Sequence, residues 1–463
     1  MEIVTIPTKN VGGNEKYILY RPMLGIAFAG NRAMVDLVSA LNRGIAPDQP
    51  DAVRFLYESG FLAPDPPSPA VKGEPFRPTM AVLLMTNQCQ LRCIYCYAQA
   101  GERSKEQMPL ELGKLAIDYV VRNALDLNKK QFAVSFHGGG EPVKAWKVLQ
   151  ACTEYAHSKP LQSDITLTSN GLWSASQTEW IAANLTGVSL SIDGGRETQD
   201  RQRPTLRGKG SSETAMRSAA ALDRHQFSYG IRMTAIAPWK NLAEDVRFLC
   251  EETRCQSIQV EPAFNTKRGG HDRPTEQEGQ AFIEAVLDAY DVAEAYHRKF
   301  YYAAARIGMI SDSFCSSPYT ALIVKPNAEL VSCYEVTNSD HPLAGISTIG
   351  RIENGEVIWD LDVRKHLHTL MAERRASCRD CFCYWTCAGN CYTRTFEPGP
   401  QGHLLHGVLC EIARSLVEAQ LLRKIAKSGG VWHSQAEKRY PGHLPSEQLI
   451  SKNDQRLESR NVD

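Results

Sequence analysis

The sequence predicts an α/β fold with unlike ends, and three observations carry that prediction. From Met80 to Phe300, short apolar runs alternate with helical segments. Before them stands a small unit closed by a linker with six prolines from Pro64 to Pro78. Beyond Phe300 the alternation stops, and eight of the 14 cysteines fall between Cys315 and Cys410.

Residues 1–63 form the first unit. Tyr17 to Tyr20 is a short hydrophobic segment. A helix follows with Met34, Leu37, Val38 and Leu41 at the spacing of one helical face. A second helical segment, with Val53, Leu56 and Tyr57, ends at Gly60. Residues 64–78 are too proline-rich for a packed element and read as a boundary.

Residues 79–300 carry six strands: Met80–Met85, Phe132–Phe136, Ile165–Thr168, Val188–Ile192, Ile231–Ile236 and Ile258–Glu261. The helix after the first strand has Leu112, Leu115, Ala116, Tyr119 and Val120 on one face. Such alternation implies βαβ units and a parallel sheet. The sheet is either doubly wound or curved into an incomplete barrel, and periodicity does not choose. In both, chemistry belongs to the loops after the strand C-termini. Residues 301–420 are the cysteine-rich part. A helix bearing Ile412, Leu416 and Leu421 then leads into a polar tail, 421–463, expected to drape over the surface or stay disordered.

Composition narrows the function. Lys+Arg and Asp+Glu are both 52, so the basic excess of a nucleic-acid-binding surface is missing. Met1 to Lys9 lacks the basic-then-apolar pattern of a signal peptide, and no apolar run approaches the ~20 residues of a membrane span. A cytoplasmic protein with reduced thiols is expected, and clustered reduced thiols are read first as metal ligands. Cys152, Cys250 and Cys255 have no partners at metal spacing and read as core.

The first cluster, Cys89-Gln-Leu-Arg-Cys93-Ile-Tyr-Cys96, sits just past the first strand. Three thiolates on one short loop can hold three irons of a [4Fe–4S] cube and leave the fourth iron open. A zinc or redox loop with a distant fourth ligand is the other reading of the bare spacing.

The surrounding residues resemble the radical SAM superfamily, whose signature CxxxCx(aromatic)C has Tyr95 at its aromatic position. His137-Gly138-Gly139-Gly140-Glu141-Pro142, after the second strand, resembles the family's GGEP segment with one additional glycine. Thr168-Ser169-Asn170-Gly171 follows the third strand, and Ser191-Ile192-Asp193-Gly194 ends the fourth. Arg203, Arg232 on the fifth strand, and Glu261-Pro262 ending the sixth also fit. The resemblance implies a partial (β/α)6 TIM-like barrel. It also implies SAM contacts from Tyr95, Gly139, Gly140, Glu141, Ser169, Asn170, Ser191, Asp193, Arg203 and Arg232. The implied chemistry is reductive cleavage of SAM to a 5′-deoxyadenosyl radical that removes an unactivated hydrogen.

Cys378-x2-Cys381-x5-Cys387-x3-Cys391, followed by Cys410 and preceded by Cys315 and Cys333, is similar to the SPASM extension. Two structural zinc sites are the plainer reading of that spacing. The resemblance implies two auxiliary [4Fe–4S] clusters, three in all. One is closed by Cys378, Cys381, Cys387 and Cys410; the other is held by Cys315, Cys333 and Cys391, either open, ligated by Asp312, or completed by a substrate thiolate. The motif's glycine is here Ala328, acceptable only if its φ is negative. Cys383 falls outside the pattern and reads as structural or as a spare ligand.

SPASM proteins mostly act on peptides or proteins. The first unit resembles the winged-helix-like leader-binding domain of peptide maturases, where an extended leader adds a strand to a sheet edge. The implied function is formation of a thioether or carbon–carbon crosslink in a ribosomally made precursor peptide, with a flavodoxin or ferredoxin as reductant. The alternative is Cβ oxidation of Ser or Cys, as in anaerobic sulfatase maturases, for which Glu261 is the candidate base. A non-catalytic electron carrier or zinc scaffold would need neither the GGEP-like segment nor Arg203.

Overall fold

The computed structural model describes residues 2–8, 15–45, 49–69, 75–270, 273–397, 403–404 and 406–434. The first unit is an antiparallel sheet of β1 (Val4–Pro7), β2 (Tyr17–Arg21) and β3 (Ile26–Gly30), backed by helices Arg32–Asn42 and Pro50–Glu58. Asn31 caps the first helix by accepting from Met34 N. Leu19, Phe28, Leu37, Val38, Leu56 and Phe61 make its own small core. Ile6, Ile18, Tyr20 and Ala27 join the main core, so this unit is seated on the rest of the chain. Fully buried Arg21 donates to Ala63 O and pairs with Asp65 at 2.6 Å, pinning the start of the proline linker.

The main sheet holds the six expected strands as β4 (Met80–Leu84), β5 (Gln131–His137), β6 (Gln162–Ser169), β7 (Gly187–Ser191), β8 (Tyr229–Ala235) and β9 (Ser257–Pro262). They are parallel and lie side by side in chain order. A doubly wound sheet reverses direction across its first strand. This one does not, so it is wound like an incomplete barrel. Further parallel strands extend both margins: β10 (Lys299–Tyr302) beside β9, and β11 (Ala321–Val324) beside β4.

From β11 the sheet continues antiparallel through β12 (Glu329–Val331), β13 (Thr348–Glu353) and β14 (Glu356–Trp359). The cysteine-rich part therefore shares a sheet with the barrel. A short ladder, β15 (Phe396–Glu397) with β16 (His403–Leu404), follows.

The β11–β12 turn corrects one expectation. Ala328 sits at φ +68°, the left-handed region that glycine adopts without penalty. The turn is fixed by Lys325 N to Glu329 O (2.9 Å) and Ala328 N to Lys325 O (3.0 Å), so alanine bears the strain.

Residues 421–434 differ from the tail expected there, whereas 435–463 lie outside the described residues. The helix runs from Val408 to Lys427, and β17 (Val431–His433) then pairs antiparallel with β3, placing Trp432 opposite Ala27. Gly429 and Gly430, both at positive φ, make the reversal between them. The edge of β3 is thus filled by the chain itself.

Candidate functional site

The site lies at the C-terminal ends of the barrel strands. Cys89, Cys93 and Cys96 follow β4, and each bears on the charge of another. Donors reach their sulfurs: Leu91 N to Cys89 Sγ at 3.4 Å, Asn170 Nδ2 to Cys89 Sγ at 3.7 Å, and Arg203 Nη1 to Cys93 Sγ at 4.0 Å. Burial pushes Cys89 up to about 12 and Cys93 to about 11, so a cation bound at these sulfurs would release protons to solvent.

The GGEP-like loop packs on this one. Gly140 N donates to Thr86 O and Glu141 N to Gln88 O, both at 2.8 Å. A Cβ on Gly140 would lie 2.3 Å from Gln88 O, so glycine is needed here for one loop to pass the other. A Cβ on Gly139 would press the Thr337 side chain at 3.1 Å. Glu141 turns inward, accepting from Ser169 Oγ at 2.7 Å and Asn170 N at 2.9 Å. Burial raises it to about 6.

Asp193 organises the next loop. Its carboxylate accepts from Thr234 N (2.9 Å), pairs with Arg203 Nε (2.9 Å) and is bonded by the Tyr95 hydroxyl. Arg203 in turn lies over the Tyr95 ring, 5.4 Å from its centroid. Ser191 ends β7 level with Arg232 on β8. Arg232 stands apart from this network.

The C-terminal cysteines fall into two groups. Cys378, Cys381, Cys387 and Cys410 bear on one another, with Arg374 Nη2 donating to Cys410 Sγ at 3.0 Å. Cys381 is pulled down to about 6, first by the hydrogen bond from the Cys383 thiol. Cys383 itself is buried against the first unit, near Tyr20.

Cys315, Cys333 and Cys391 form the other group. The β11–β12 hairpin brings Cys315 and Cys333 together. Ala388, Gly389 and Asn390 are all left-handed, and that turn sends Cys391 away from its neighbour Cys387. Glu335 N approaches Cys333 Sγ at 3.5 Å, and Thr393 Oγ1 lies 3.0 Å from Cys391 Sγ.

Among the described residues, no three His, Cys, Asp or Glu side chains lie close enough to hold one metal ion. Each of the three thiol groups has an N–H donor at a sulfur, from Leu91 to Cys89, from Arg374 to Cys410 and from Glu335 to Cys333, surroundings that fit thiolates holding a cluster.

Glu261 and Asp312, the candidate base and the optional ligand, have the following surroundings. Glu261 is buried, paired with Arg394 at 3.2 Å and accepting from Gln259 at 2.9 Å, so its carboxylate joins barrel to cysteine-rich part. Asp312 bears on Tyr319 and Arg375, whereas Glu335 bears on Cys333 and Cys391. Glu335 was not singled out in the sequence; its one signal is standing two residues after Cys333. Tyr97 and Tyr334 were missed too. The hydroxyl of Tyr97 is pushed up by burial, then by Glu335, Cys96 and Cys333, so it stands between the first cysteine group and this one. His137 stacks on Tyr334 at 4.8 Å.

Residues 83–248 match the model of the Radical SAM superfamily, so the chain carries a radical SAM domain. It is 26% identical over 285 residues to Fe-coproporphyrin III synthase of Methanosarcina barkeri, a match covering 60% of this chain and 66% of that protein. Its fold is similar to native anSMEcpe with bound AdoMet and Cp18Cys peptide: TM-score 0.58, 16% identity, 76% of this chain and 99% of that one. It is also similar to Streptococcus suis SuiB bound to precursor peptide SuiA: TM-score 0.50, 17% identity, 81% of this chain and 86% of that one. No described helix is long and apolar enough to cross a membrane.

Proposed function

We propose that the chain is a radical SAM peptide maturase that crosslinks a ribosomally made precursor through a thioether or carbon–carbon bond. One observation carries the reading: Tyr97 stands between Cys96 on one side and Cys333 with Glu335 on the other, so two cysteine groups face one barrel mouth. A crosslink that leaves an electron behind needs an acceptor beside the substrate, and a cluster held by Cys315, Cys333 and Cys391 would supply one there.

Cys89, Cys93 and Cys96 would hold the SAM-binding cluster, and the other two cysteine groups the auxiliary ones. Bound there, the reduced cluster supplies the electron that splits SAM and gives the hydrogen-abstracting 5′-deoxyadenosyl radical. The protein's share is orientation. Asn170 is tied to Glu141 through its backbone and to Cys89 through its amide. Asp193 fixes the direction of Arg203 at the cofactor side.

Similarity to peptide-bound SuiB and peptide-bound anSMEcpe supports a peptide substrate. The second of these equally favours Cβ oxidation of Ser or Cys as the runner-up reaction. A leader adding to β3 must first displace β17, so strand addition on that edge is not the resting state of this chain. A flavodoxin or ferredoxin is the proposed reductant.

The test is mass spectrometry on a Cys-containing peptide encoded beside the gene, incubated with reconstituted enzyme, SAM and reductant. Loss of a pair of hydrogens with one thiol protected from alkylation supports crosslinking. The same loss from a Ser, or that loss with the Cys sulfur exchanged for water oxygen and released as sulfide, giving an aldehyde-reactive product, replaces it with oxidation, and an unchanged peptide after SAM cleavage contradicts both.

A further inference from the structure

Most arginines around the barrel mouth are held by carboxylates. Arg203 is paired with Asp193, Arg394 with Glu261 and Arg268 with Glu102. The Arg232 side chain is exposed and, among the described residues, makes no hydrogen bond or ion pair.

The strand explains where it points. Ile231, Met233 and Ala235 are buried on one face of β8, and Arg232 takes the other. The ladder sets it level with Ser191 on β7 and Gln259 on β9, and Gln259 is level with Tyr301 on β10. One rung of the barrel interior therefore reads Ser191, Arg232, Gln259, Tyr301.

Its surroundings differ from those of Arg203. Arg203 bears on Cys93, Tyr95 and Glu141, the cofactor side. Arg232 bears on Tyr97, His137, Tyr301 and Tyr334, which wall the space towards Cys315 and Cys333. A guanidinium among aromatic rings, with no carboxylate of its own, presents a rigid fork to a carboxylate that enters.

We propose that Arg232 receives a carboxylate of the substrate peptide rather than one of SAM. This replaces its expected place among the SAM contacts, and it deepens the peptide reading above. An Asp or Glu side chain or the peptide's own C-terminus supplies the same group. Held on this rung, it anchors the peptide between the two cysteine groups.

The experiment labels arginines with phenylglyoxal in the anaerobically reconstituted full chain and maps them by mass spectrometry. Separate samples contain SAM, glutarate, a neutral acetyl-tetraglycine amide, an acetylated amidated peptide with an internal Glu, or acetyl-tetraglycine with a free C-terminus, all at matched ionic strength. We expect a carboxylate-bearing peptide to slow modification of Arg232 by about tenfold, the scale of a charge-assisted pair. SAM and the neutral peptide leave it labelled. Whichever carboxylate peptide protects identifies the source. Protection by glutarate alone keeps the carboxylate site and counts against a peptide substrate. Protection by SAM, or by no carboxylate at all, overturns the proposal.

Discussion

The barrel's cysteine loop and the C-terminal cysteine region are assembled in opposite ways. Cys89, Cys93 and Cys96 lie within eight residues, positioned by the end of one strand. The other seven grouped cysteines are drawn from Cys315 to Cys410. They need a hairpin, the Leu361–Ala376 helix, a left-handed turn and the Val408–Lys427 helix. The first arrangement is local and survives small shifts elsewhere. The second exists only when distant segments have packed, so ligation and folding are coupled there.

That contrast predicts its own failures. Cys93→Ala should abolish 5′-deoxyadenosine formation, read by chromatography, and lower bound iron by about four atoms, one cube, with little change in the unfolding of the cysteine-rich part. Cys387→Ala should remove a similar amount of iron and also lower the unfolding temperature markedly, because it loosens two segments that are distant in the chain. Equal thermal effects from the two substitutions would erase the distinction.

The join between the regions comes next. Arg394→Met leaves Glu261 buried without its cation, and chemical denaturation should register a loss of about 3 kcal/mol. An effect near zero would mean that the pair does not couple barrel to cysteine region.

A pH effect is smaller. Burial, then Arg232, holds His137 down at about 4 from its ordinary 6.5. The unfolded chain is protonated at this position first, so the contribution is full above about 6.5 and is lost as pH falls towards about 4. Its size is at most about 2 kcal/mol after allowing for partial exposure. His137→Gln should flatten the pH profile of stability over that window.

The smallest change is Ala328→Gly, which relieves a left-handed alanine and should stabilise by roughly 1 kcal/mol, measured as a raised unfolding temperature.

The two regions also differed in how much their sequences disclosed. The strands and helices of the barrel followed from apolar runs and helical stripes because each βα unit is local. The Cys89 loop was legible for the same reason. Periodicity alone left open whether the sheet was doubly wound or barrel-like, since that depends on which strands lie side by side. Glu335 and Tyr334 stayed hidden because only the β11–β12 hairpin brings them to the barrel mouth. The β17–β3 pairing was unreadable, joining residues some 400 apart in the chain. Ala328 shows the limit of a motif: its glycine was missing, yet the turn kept its left-handed shape.

The most direct measurement is anaerobic reconstitution of the full chain with iron and sulfide, reduction in the presence of SAM, and parallel quantification of bound iron and 5′-deoxyadenosine. The account predicts about twelve irons per chain, three cubes of four, with 5′-deoxyadenosine and methionine formed together. Stoichiometric zinc in place of iron, or full iron loading without SAM cleavage, would contradict it.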